Sequence, residues 1–189
     1  MTAPRDSSPP SEWVQRWSHL IAPKGTVLDV ACGRGRHMRW LAEHGHPVTG
    51  IDRSPDAVAA AAAFGQTVLT DIENSTWPLM NGLVACQFDA VIVTNYLWRP
   101  LFPVLAQSLA PGGLLIYETF AQGNESVGKP SNPDFLLRPS ELLHAFQSLR
   151  ILAFEEGFLA HPDRFVQRIV AVQENRAFGL HPIPPRYRL

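Results

Sequence analysis

A glycine turn with an acid in front of it is the first feature of the sequence that could do chemistry. The segment from Val27 to His37 reads VLDVACGRGRH, with Gly33 and Gly35 two residues apart after an apolar run. Glycines in that position let the backbone turn sharply and approach a ligand closely. Asp29 precedes the turn, where its charge would repel a phosphate. The pattern therefore predicts a site for a ligand that favours a nearby carboxylate.

The turn does not match a dinucleotide-binding fingerprint. That fingerprint needs G-x-G-x-x-G, so that a pyrophosphate lies on the helix N-terminus. Here His37 and Met38 follow the second glycine, and the third glycine is missing. A ligand without phosphates that carries an ammonium and a sulfonium would be stabilised by Asp29, and S-adenosylmethionine (SAM) is such a ligand. The alternative is a turn that merely joins a strand to a helix.

The same segment resembles the first motif of class I SAM-dependent methyltransferases, D/E-x-G-x-G-x-G, and LAPGGLLIYETF resembles their helix-PGG-strand segment. The resemblance covers about residues 20 to 175, and small bacterial enzymes of the tellurite-resistance and thiopurine type are the relatives it suggests. It implies that SAM binds as methyl donor, that S-adenosyl-L-homocysteine is the product, and that no metal takes part. It also implies donor contacts along the turn, where an alanine replaces the first glycine of the motif: Asp29, Ala31, Cys32, Gly33 and Gly35.

Acids also stand at the ends of the next two predicted strands. Asp52 ends VTGID, 17 residues after Gly35, and an acid near that spacing accepts hydrogen bonds from ribose hydroxyls. We expect the next residue, Arg53, to lie over the adenine. For Asp71 and Ile72 the resemblance implies an acceptor for the adenine amino group and an apolar contact with the ring. The alternatives are a helix N-terminal acid at Asp52 and a solvated loop at Asp71.

The fourth predicted strand ends in VTNYLWRP, beside the first strand, so we expect Asn95 and Tyr96 to face the methyl donor. Methyltransferases that act on nucleobase amino groups often carry D/N-P-P-Y/F here, and both prolines are missing. Tyr96, Trp98 and Phe102 are predicted to form an aromatic wall for a flat or apolar acceptor. Trp98 and Phe102 are alternatively core residues at i, i+4 spacing.

The fifth predicted strand ends in Tyr117, Glu118 and Thr119, near the acceptor side of the predicted cleft. A general base is needed only if the acceptor must lose a proton. The first candidates are Tyr96 and Glu118, and Tyr117 and His161 are the remaining ones. A soft acceptor such as a thiolate would need no base.

A long polar segment over residues 121–138 follows this strand, and such a loop in a compact domain is usually a lid or a disordered segment. As a lid it would contribute acceptor contacts, with Arg138 or Lys129 binding an anionic group. We therefore predict Tyr96, Trp98, Tyr117 and Arg138 as the residues that face the acceptor.

The elements that position these residues alternate between strands and helices. Five β-α steps followed by two strands predict an α/β fold: one doubly wound, mainly parallel, seven-stranded sheet with helices on both faces. Ligands bind such sheets outside the carboxyl ends of the strands. We predict a disordered segment over residues 1–10, the methyltransferase domain over 11–176 and a proline-rich tail over 177–189.

Composition and charge indicate which kinds of partner and which compartment to expect. The chain has 189 residues and a net charge of −1, which gives no general attraction to nucleic acid or anionic membrane. Two cysteines without metal-ligand spacing fit a reducing cytoplasm. The first dozen residues contain no secretory apolar region, and no run of 18 apolar residues predicts a membrane span. We therefore expect a cytoplasmic protein, monomeric or weakly dimeric, without nucleic-acid, membrane or metal partners.

The predicted function is transfer of a methyl group from SAM to a small-molecule acceptor by in-line displacement. An RNA or protein methyltransferase is a second hypothesis, and a non-catalytic SAM-binding protein is a third, since a fold does not guarantee a function. A nucleotide-dependent oxidoreductase is a fourth, opposed by the missing glycine and by Asp29.

Overall fold

The computed structural model describes residues 8–174 and 186–189. Within those ranges no helix is long and apolar enough to cross a membrane. The predicted disorder of residues 1–7 and the part of the tail up to residue 185 lie outside the described residues.

One seven-stranded sheet carries the fold, and a separate two-stranded hairpin lies beside it. The sheet order is β3-β2-β1-β6-β7-β9-β8, which confirms the predicted mainly parallel sheet. In chain order the strands are β1 (Val27–Val30), β2 (Val48–Asp52), β3 (Gln66–Leu69), β4 (Met80–Asn81), β5 (Val84–Ala85), β6 (Phe88–Thr94), β7 (Leu109–Phe120), β8 (Arg150–Leu159) and β9 (Arg164–Val172).

The central strand β1 pairs in parallel with β2 on one side and with β6 on the other. All four residues of β1 are buried, as a strand covered on both faces requires. β9 pairs antiparallel with both β7 and β8, so the last two strands form a hairpin that turns around residues 160–163.

The described residues contain five short α-helices, the first before β1 and the others between strands: α1 (Glu12–Trp17), α2 (Arg36–Glu43), α3 (Pro55–Ala61), α4 (Phe102–Gln107) and α5 (Glu141–Ala145). Their ends follow the capping residues in the sequence. The Ser11 hydroxyl accepts from the Trp13 N–H at 3.1 Å, and Ser54 accepts from the Ala57 N–H at 3.3 Å. Gly45, with φ +84°, follows α2 in the left-handed conformation that ends many helices.

The helices cover both faces of the sheet. One apolar cluster joins the buried faces of α1 and α2 to the sheet, and it contains Trp13, Trp17, Met38 and Leu41. The other joins α4 and α5 to the opposite face through residues such as Leu105, Leu142 and Phe146. The predicted layering is therefore confirmed. The described end of the tail also packs here, because Tyr187 contacts the first cluster.

The structure departs from the predicted elements at three places. β7 begins at Leu109 rather than at Leu114, with a register shift where the Pro-Gly-Gly segment interrupts its pairing with β6. The β4–β5 hairpin is additional to the seven predicted strands, and Gly82 (φ +63°) makes its turn. Residues 8–10, predicted to be disordered, pack against the domain, and the Pro10 carbonyl accepts from Gln15 at 2.9 Å.

Gly65, between α3 and β3, tests how closely the first half of the sheet is packed. A Cβ atom there would lie far inside van der Waals contact with the Val48 carbonyl oxygen, which is backbone and cannot rotate away. We expect Gly65→Ala to lower the free energy of unfolding by about 1–3 kcal/mol in urea denaturation. Gly128→Ala is the control, since nothing lies within 4 Å of its added Cβ. Equal unfolding free energies for the two variants would contradict this packing.

Candidate functional site

The carboxyl ends of β1, β2 and β6 and the segment after β3 meet at one edge of the sheet, around a first cavity of about 380 Å³. The chain reverses its order between β1 and β6, which makes this edge the topological switch point where ligands bind such sheets. Seven of the predicted site residues line the first cavity: Ala31, Asp52, Arg53, Asp71, Ile72, Asn95 and Tyr96.

The turn after β1 is built from residues in the left-handed region. Ala31 and Gly33 both have φ +55°, and Gly35 has φ +83°. The Gly35 N–H donates to the Cys32 carbonyl at 3.0 Å, and the Cys32 N–H donates to the Ile51 carbonyl at 2.9 Å. The turn is thereby attached to the end of β2. Ala31 takes up this conformation at a cost of about 1–2 kcal/mol, which the surrounding contacts must offset.

Asp52 connects the two strand ends. Its Oδ2 accepts from the Gly33 N–H at 2.8 Å, and its Oδ1 accepts from the Ser54 N–H at 2.9 Å. Each carboxylate oxygen has a second lone pair, so these two bonds leave capacity for a ligand at the cavity wall. The position of Asp52 is compatible both with ligand binding and with a role at the start of α3.

Asp71, which follows β3, and Tyr96, which follows β6, both line the first cavity. The Asp71 oxygens accept from the Asn74 amide at 2.9 Å and from the Glu73 N–H at 3.1 Å, and these bonds, the Asn74 bond first, hold the pKa of Asp71 below its usual value. The Tyr96 hydroxyl donates to Glu73 at 3.2 Å. Burial, reinforced by the Glu73 charge, raises the pKa of Tyr96, so its hydroxyl stays protonated and is a poor general base.

Asp29 lies below the turn and lines none of the cavities described here. It is buried, and its Oδ2 has no hydrogen-bond partner among the described residues. Burial raises the pKa of Asp29 to about 7, although the Arg36 charge acts in the opposite direction. His37 Nδ1 is 4.0 Å from Asp29 Oδ2, and burial lowers the pKa of His37 to about 3. Burial therefore favours the neutral form of both groups.

Two further cavities open beside the first. The second, of about 230 Å³, is lined by the turn residues Ala31, Cys32 and Gly33. The third, of about 700 Å³, is lined by Glu118, the 128–129 segment and the β8–β9 turn. Asn95, with φ +54°, lines all three cavities. A molecule in the third cavity would therefore meet one in the first or second at this residue.

A chain of hydrogen bonds crosses the floor of the second and third cavities. The Ser11 N–H donates to His37 Nε2 at 3.1 Å, and the Ser11 hydroxyl donates to Glu118 Oε1 at 2.9 Å. Arg168 contacts the other Glu118 oxygen at 3.4 Å. The N-terminal residues before α1 are thus held between the glycine turn and the end of β7. Glu118 lines the third cavity as expected, with both oxygens already hydrogen-bonded.

Two residues that were predicted to face the acceptor, Tyr117 and Arg138, do not line any of the three cavities. A third, Trp98, has the position that its alternative interpretation as a core residue predicts. Tyr117 is 1% exposed, because it packs against Phe102 and Phe146 and donates to the Tyr96 carbonyl at 2.9 Å. The prediction for Tyr117 is therefore wrong. Trp98 packs against this same core cluster, as its alternative interpretation had it.

Arg138 is also misplaced by the prediction. It is exposed and lines none of the three cavities, and its backbone N–H donates to Glu141 at 2.8 Å. Residues of the 121–138 segment do reach the site, but they are others: Pro130 and Phe135 line the first cavity, and Lys129 the third. Arg99 fastens this segment by donating to the Asp134 carbonyl at 2.7 Å.

Several site residues were not predicted. Glu73 lies two residues after Asp71 and could have been found from the run of polar residues at that strand end. Arg36, Arg164 and Ser11 come from three distant parts of the chain, and no sequence spacing links them. In the part of the chain that the structure describes, no cluster of three or more His, Cys, Asp or Glu side chains could hold a metal ion.

Comparisons with known proteins agree with this geometry. Residues 27–113 match a family described as a methyltransferase domain. The tRNA U34 carboxymethyltransferase of Klebsiella pneumoniae is 32% identical over 133 residues, which are 62% of this chain and 40% of that protein. The chain spans about half or less of the length of the curated relatives it matches.

Solved structures share the fold. TehB from Haemophilus influenzae has a TM-score of 0.69 at 19% identity, covering 86% of this chain and 62% of TehB. The N-methyltransferase NodS from Bradyrhizobium japonicum has a TM-score of 0.64 at 18% identity, covering 85% of this chain and 93% of NodS. The predicted Rossmann-like methyltransferase fold is confirmed, and TehB is one of the structures that share it.

The buried Asp29 makes a prediction about pH and stability. Unfolded Asp29 ionises near pH 4, whereas the folded protein keeps its proton to about pH 7, so ionisation favours the unfolded state across that window. We expect Asp29→Asn, which cannot ionise, to gain stability relative to the wild type as pH rises from 4 to 7. The gain should level off above pH 7, at a value on the order of 4 kcal/mol or less.

Urea denaturation of both proteins at pH 5, 6, 7 and 8 measures this difference. Any offset from replacing the carboxyl by an amide is the same at each pH, so only the change with pH is diagnostic. A difference that stays constant across the series would show that Asp29 titrates normally in the folded protein.

Proposed function

We propose that this chain is a class I, SAM-dependent methyltransferase and that it transfers a methyl group from SAM to a small-molecule acceptor. One observation carries the proposal. Ala31 of the glycine turn and the acids Asp52 and Asp71 line the first cavity, and Asn95 lines both that cavity and the larger third cavity. A donor and an acceptor can thus be held side by side.

The residues present fit SAM better than a dinucleotide. The first cavity has three acids, Asp52, Asp71 and Glu73, and one cation, Arg53, on its wall. Asp29 adds a buried oxygen without a partner among the described residues, directly below the turn. A pyrophosphate would be repelled by the three acids of the first cavity, whereas a cationic adenosine compound is favoured by them.

Each group of residues then has a proposed role toward the donor. Asp52 would accept from the ribose hydroxyls. Asp71 and Ile72 would hold the adenine, with Arg53 over the ring. The turn residues Ala31, Cys32 and Gly33 would enclose the methionine part in the second cavity. Gly35 and Asp29 line none of the three cavities and would support the turn from below. Glycine is favoured at position 35, because its φ of +83° strains any residue with a side chain and an added Cβ would lie 3.0 Å from the Ala61 Cβ.

SAM supplies an electrophilic methyl group: the acceptor lone pair forms the new bond to carbon while the carbon–sulfur electron pair stays on the departing sulfur. The chain's residues have to align the acceptor and exclude water. Alignment of this kind contributes on the order of 7–11 kcal/mol to lowering a barrier. Asn95 and Phe120 line both the first and the third cavity and are the residues placed to set that alignment.

The side chains near Asn95 favour an acceptor that needs little help from a base. Tyr96 keeps its proton because burial raises its pKa. Both oxygens of Glu118 already have partners, because one accepts from the Ser11 hydroxyl and the other pairs with Arg168. His161 lines the third cavity from the β8–β9 turn and is the remaining candidate base. We infer an acceptor atom that is already a nucleophile, such as a thiolate or an anionic oxygen.

An RNA acceptor is the second candidate, supported by three relatives whose names give them a tRNA substrate and by a fourth that is named for ribosomal RNA. The net charge of −1 weighs against it, since RNA binding draws on basic surface. Incubation with labelled SAM, total tRNA and a metabolite panel separates the two. Label in tRNA alone would replace the small-molecule proposal, and donor binding without transfer to either would leave a SAM-binding protein.

Asp52 provides the direct test of the donor site. We expect Asp52→Ala to weaken binding of S-adenosyl-L-homocysteine by about 1–3 kcal/mol, because its hydrogen-bonding partners are left unpaired. Isothermal titration calorimetry measures the affinity. Asp56→Ala is the matched control, since Asp56 is an exposed acid on the next helix and lines none of the three cavities. The wild type should show no binding of NAD.

A thermal melt of each variant distinguishes loss of the ligand contact from loss of the fold, because Asp52 also accepts two backbone hydrogen bonds. Unchanged affinity in a folded D52A variant would remove Asp52 from the site. NAD binding in the wild type would overturn the donor assignment.

A further inference from the structure

Three cations from three separate elements line the third cavity. Arg36 begins α2, Lys129 belongs to the loop after β7, and Arg164 begins β9. Among the described residues, none of their side chains makes a hydrogen bond or an ion pair. Arg36 and Arg164 are half-buried, so they have given up part of their hydration without a protein partner in return.

The carboxylates of the same cavity do not neutralise these cations. Glu118 is paired with Arg168 and Ser11. Glu12 and Asp163 also line the cavity, and neither forms an ion pair with the three cations in the described structure. The wall carries three cations and three carboxylates in all, and because Glu118 is engaged by Ser11 and Arg168, the unpaired groups are three cations and two carboxylates. A bound anion would reduce the repulsion among the cations and replace their lost hydration.

The two larger cavities have opposite character. Acids predominate on the first cavity, where the proposed donor is cationic. Free cations predominate on the third, and Arg36 extends into the second cavity as well. Asn95 lies where the cavities meet. This separation of charge is the complementarity that directs two oppositely charged ligands to adjacent sites.

We propose that the methyl acceptor is a small organic anion whose carboxylate or phosphate is bound by Arg36, Arg164 and Lys129 in the third cavity. This inference rests on the proposed function and specifies its substrate class. Guanidinium groups bind such planar or tetrahedral anions with paired hydrogen bonds, and Lys129 adds a single charge at the exposed rim. The nucleophilic atom of the anion would then lie toward Asn95.

The test measures anion binding separately from donor binding. The full chain is first saturated with S-adenosyl-L-homocysteine, whose own affinity is recorded by calorimetry. Benzoate, phenyl phosphate and inorganic phosphate are then titrated, with benzamide as the neutral counterpart of benzoate. We expect at least one organic anion to bind with a Kd below about 1 mM and benzamide to bind about tenfold more weakly. Inorganic phosphate separates recognition of the bare ion from recognition of an organic acceptor.

Variants locate the anion. Arg164→Gln and Lys129→Gln should each weaken anion binding, by about tenfold for the half-buried Arg164 and less for the exposed Lys129. Neither change should alter the affinity for S-adenosyl-L-homocysteine, because neither residue lines the first or second cavity. Arg39→Gln is the matched control, since Arg39 lies on α2 near Arg36 but outside the three cavities.

The outcomes are separable. If S-adenosyl-L-homocysteine does not bind, the proposed function fails, and this inference fails with it. If it binds but no anion does, or if benzamide binds as well as benzoate, or if R164Q leaves anion affinity unchanged, the inference alone is overturned. Binding of inorganic phosphate only, or of tRNA in place of any small anion, would likewise overturn it.

Discussion

The Asp52 carboxylate holds together the two strand ends on which the site depends. By accepting from the N–H groups of Gly33 and Ser54 it ties the turn after β1 to the start of α3. The turn contains Ala31 in a conformation that an L-residue adopts only at a cost, so it needs such an external constraint. The first and second cavities share Ala31, so this carboxylate, together with the backbone bond from Cys32 to Ile51, holds the wall that is common to both.

Burial of polar groups beneath the turn adds a second constraint. Asp29 and His37 are almost fully buried, and burial shifts the pKa of each toward its neutral form, up for the acid and down for the base. The neutral pair avoids the cost of a buried charge but leaves Asp29 Oδ2 without a described hydrogen-bond partner. Such a group is expected where stability has been given up for function, because an apolar residue in β1 would pack without that cost.

The sequence was sufficient where local rules govern the structure. Ser11, Ser54 and Gly45 mark helix ends by capping chemistry, and the apolar strands that alternate with helices predict the parallel sheet and its switch point. Acids at successive strand ends converge for the same reason, since the carboxyl ends of parallel strands share one edge. Tyr117 shows where these rules fail. Alternation along β7 cannot tell which face the α4–α5 pair will cover, and that pair buries the Tyr117 ring between Phe102 and Phe146.

The third cavity could not have been predicted, because it exists only through contacts between distant segments. Ser11 is bonded to His37 and Glu118, residues 26 and 107 positions away, and these bonds place the N-terminal prolines against the β8–β9 turn. No spacing in the sequence encodes that meeting. The consequence reaches the chemistry: Glu118, the most obvious acid at the end of β7, is engaged by Ser11 and Arg168 as part of this framework. The cations that the framework brings together are left as the groups free to meet a ligand, so acceptor recognition here follows from tertiary packing rather than from a motif.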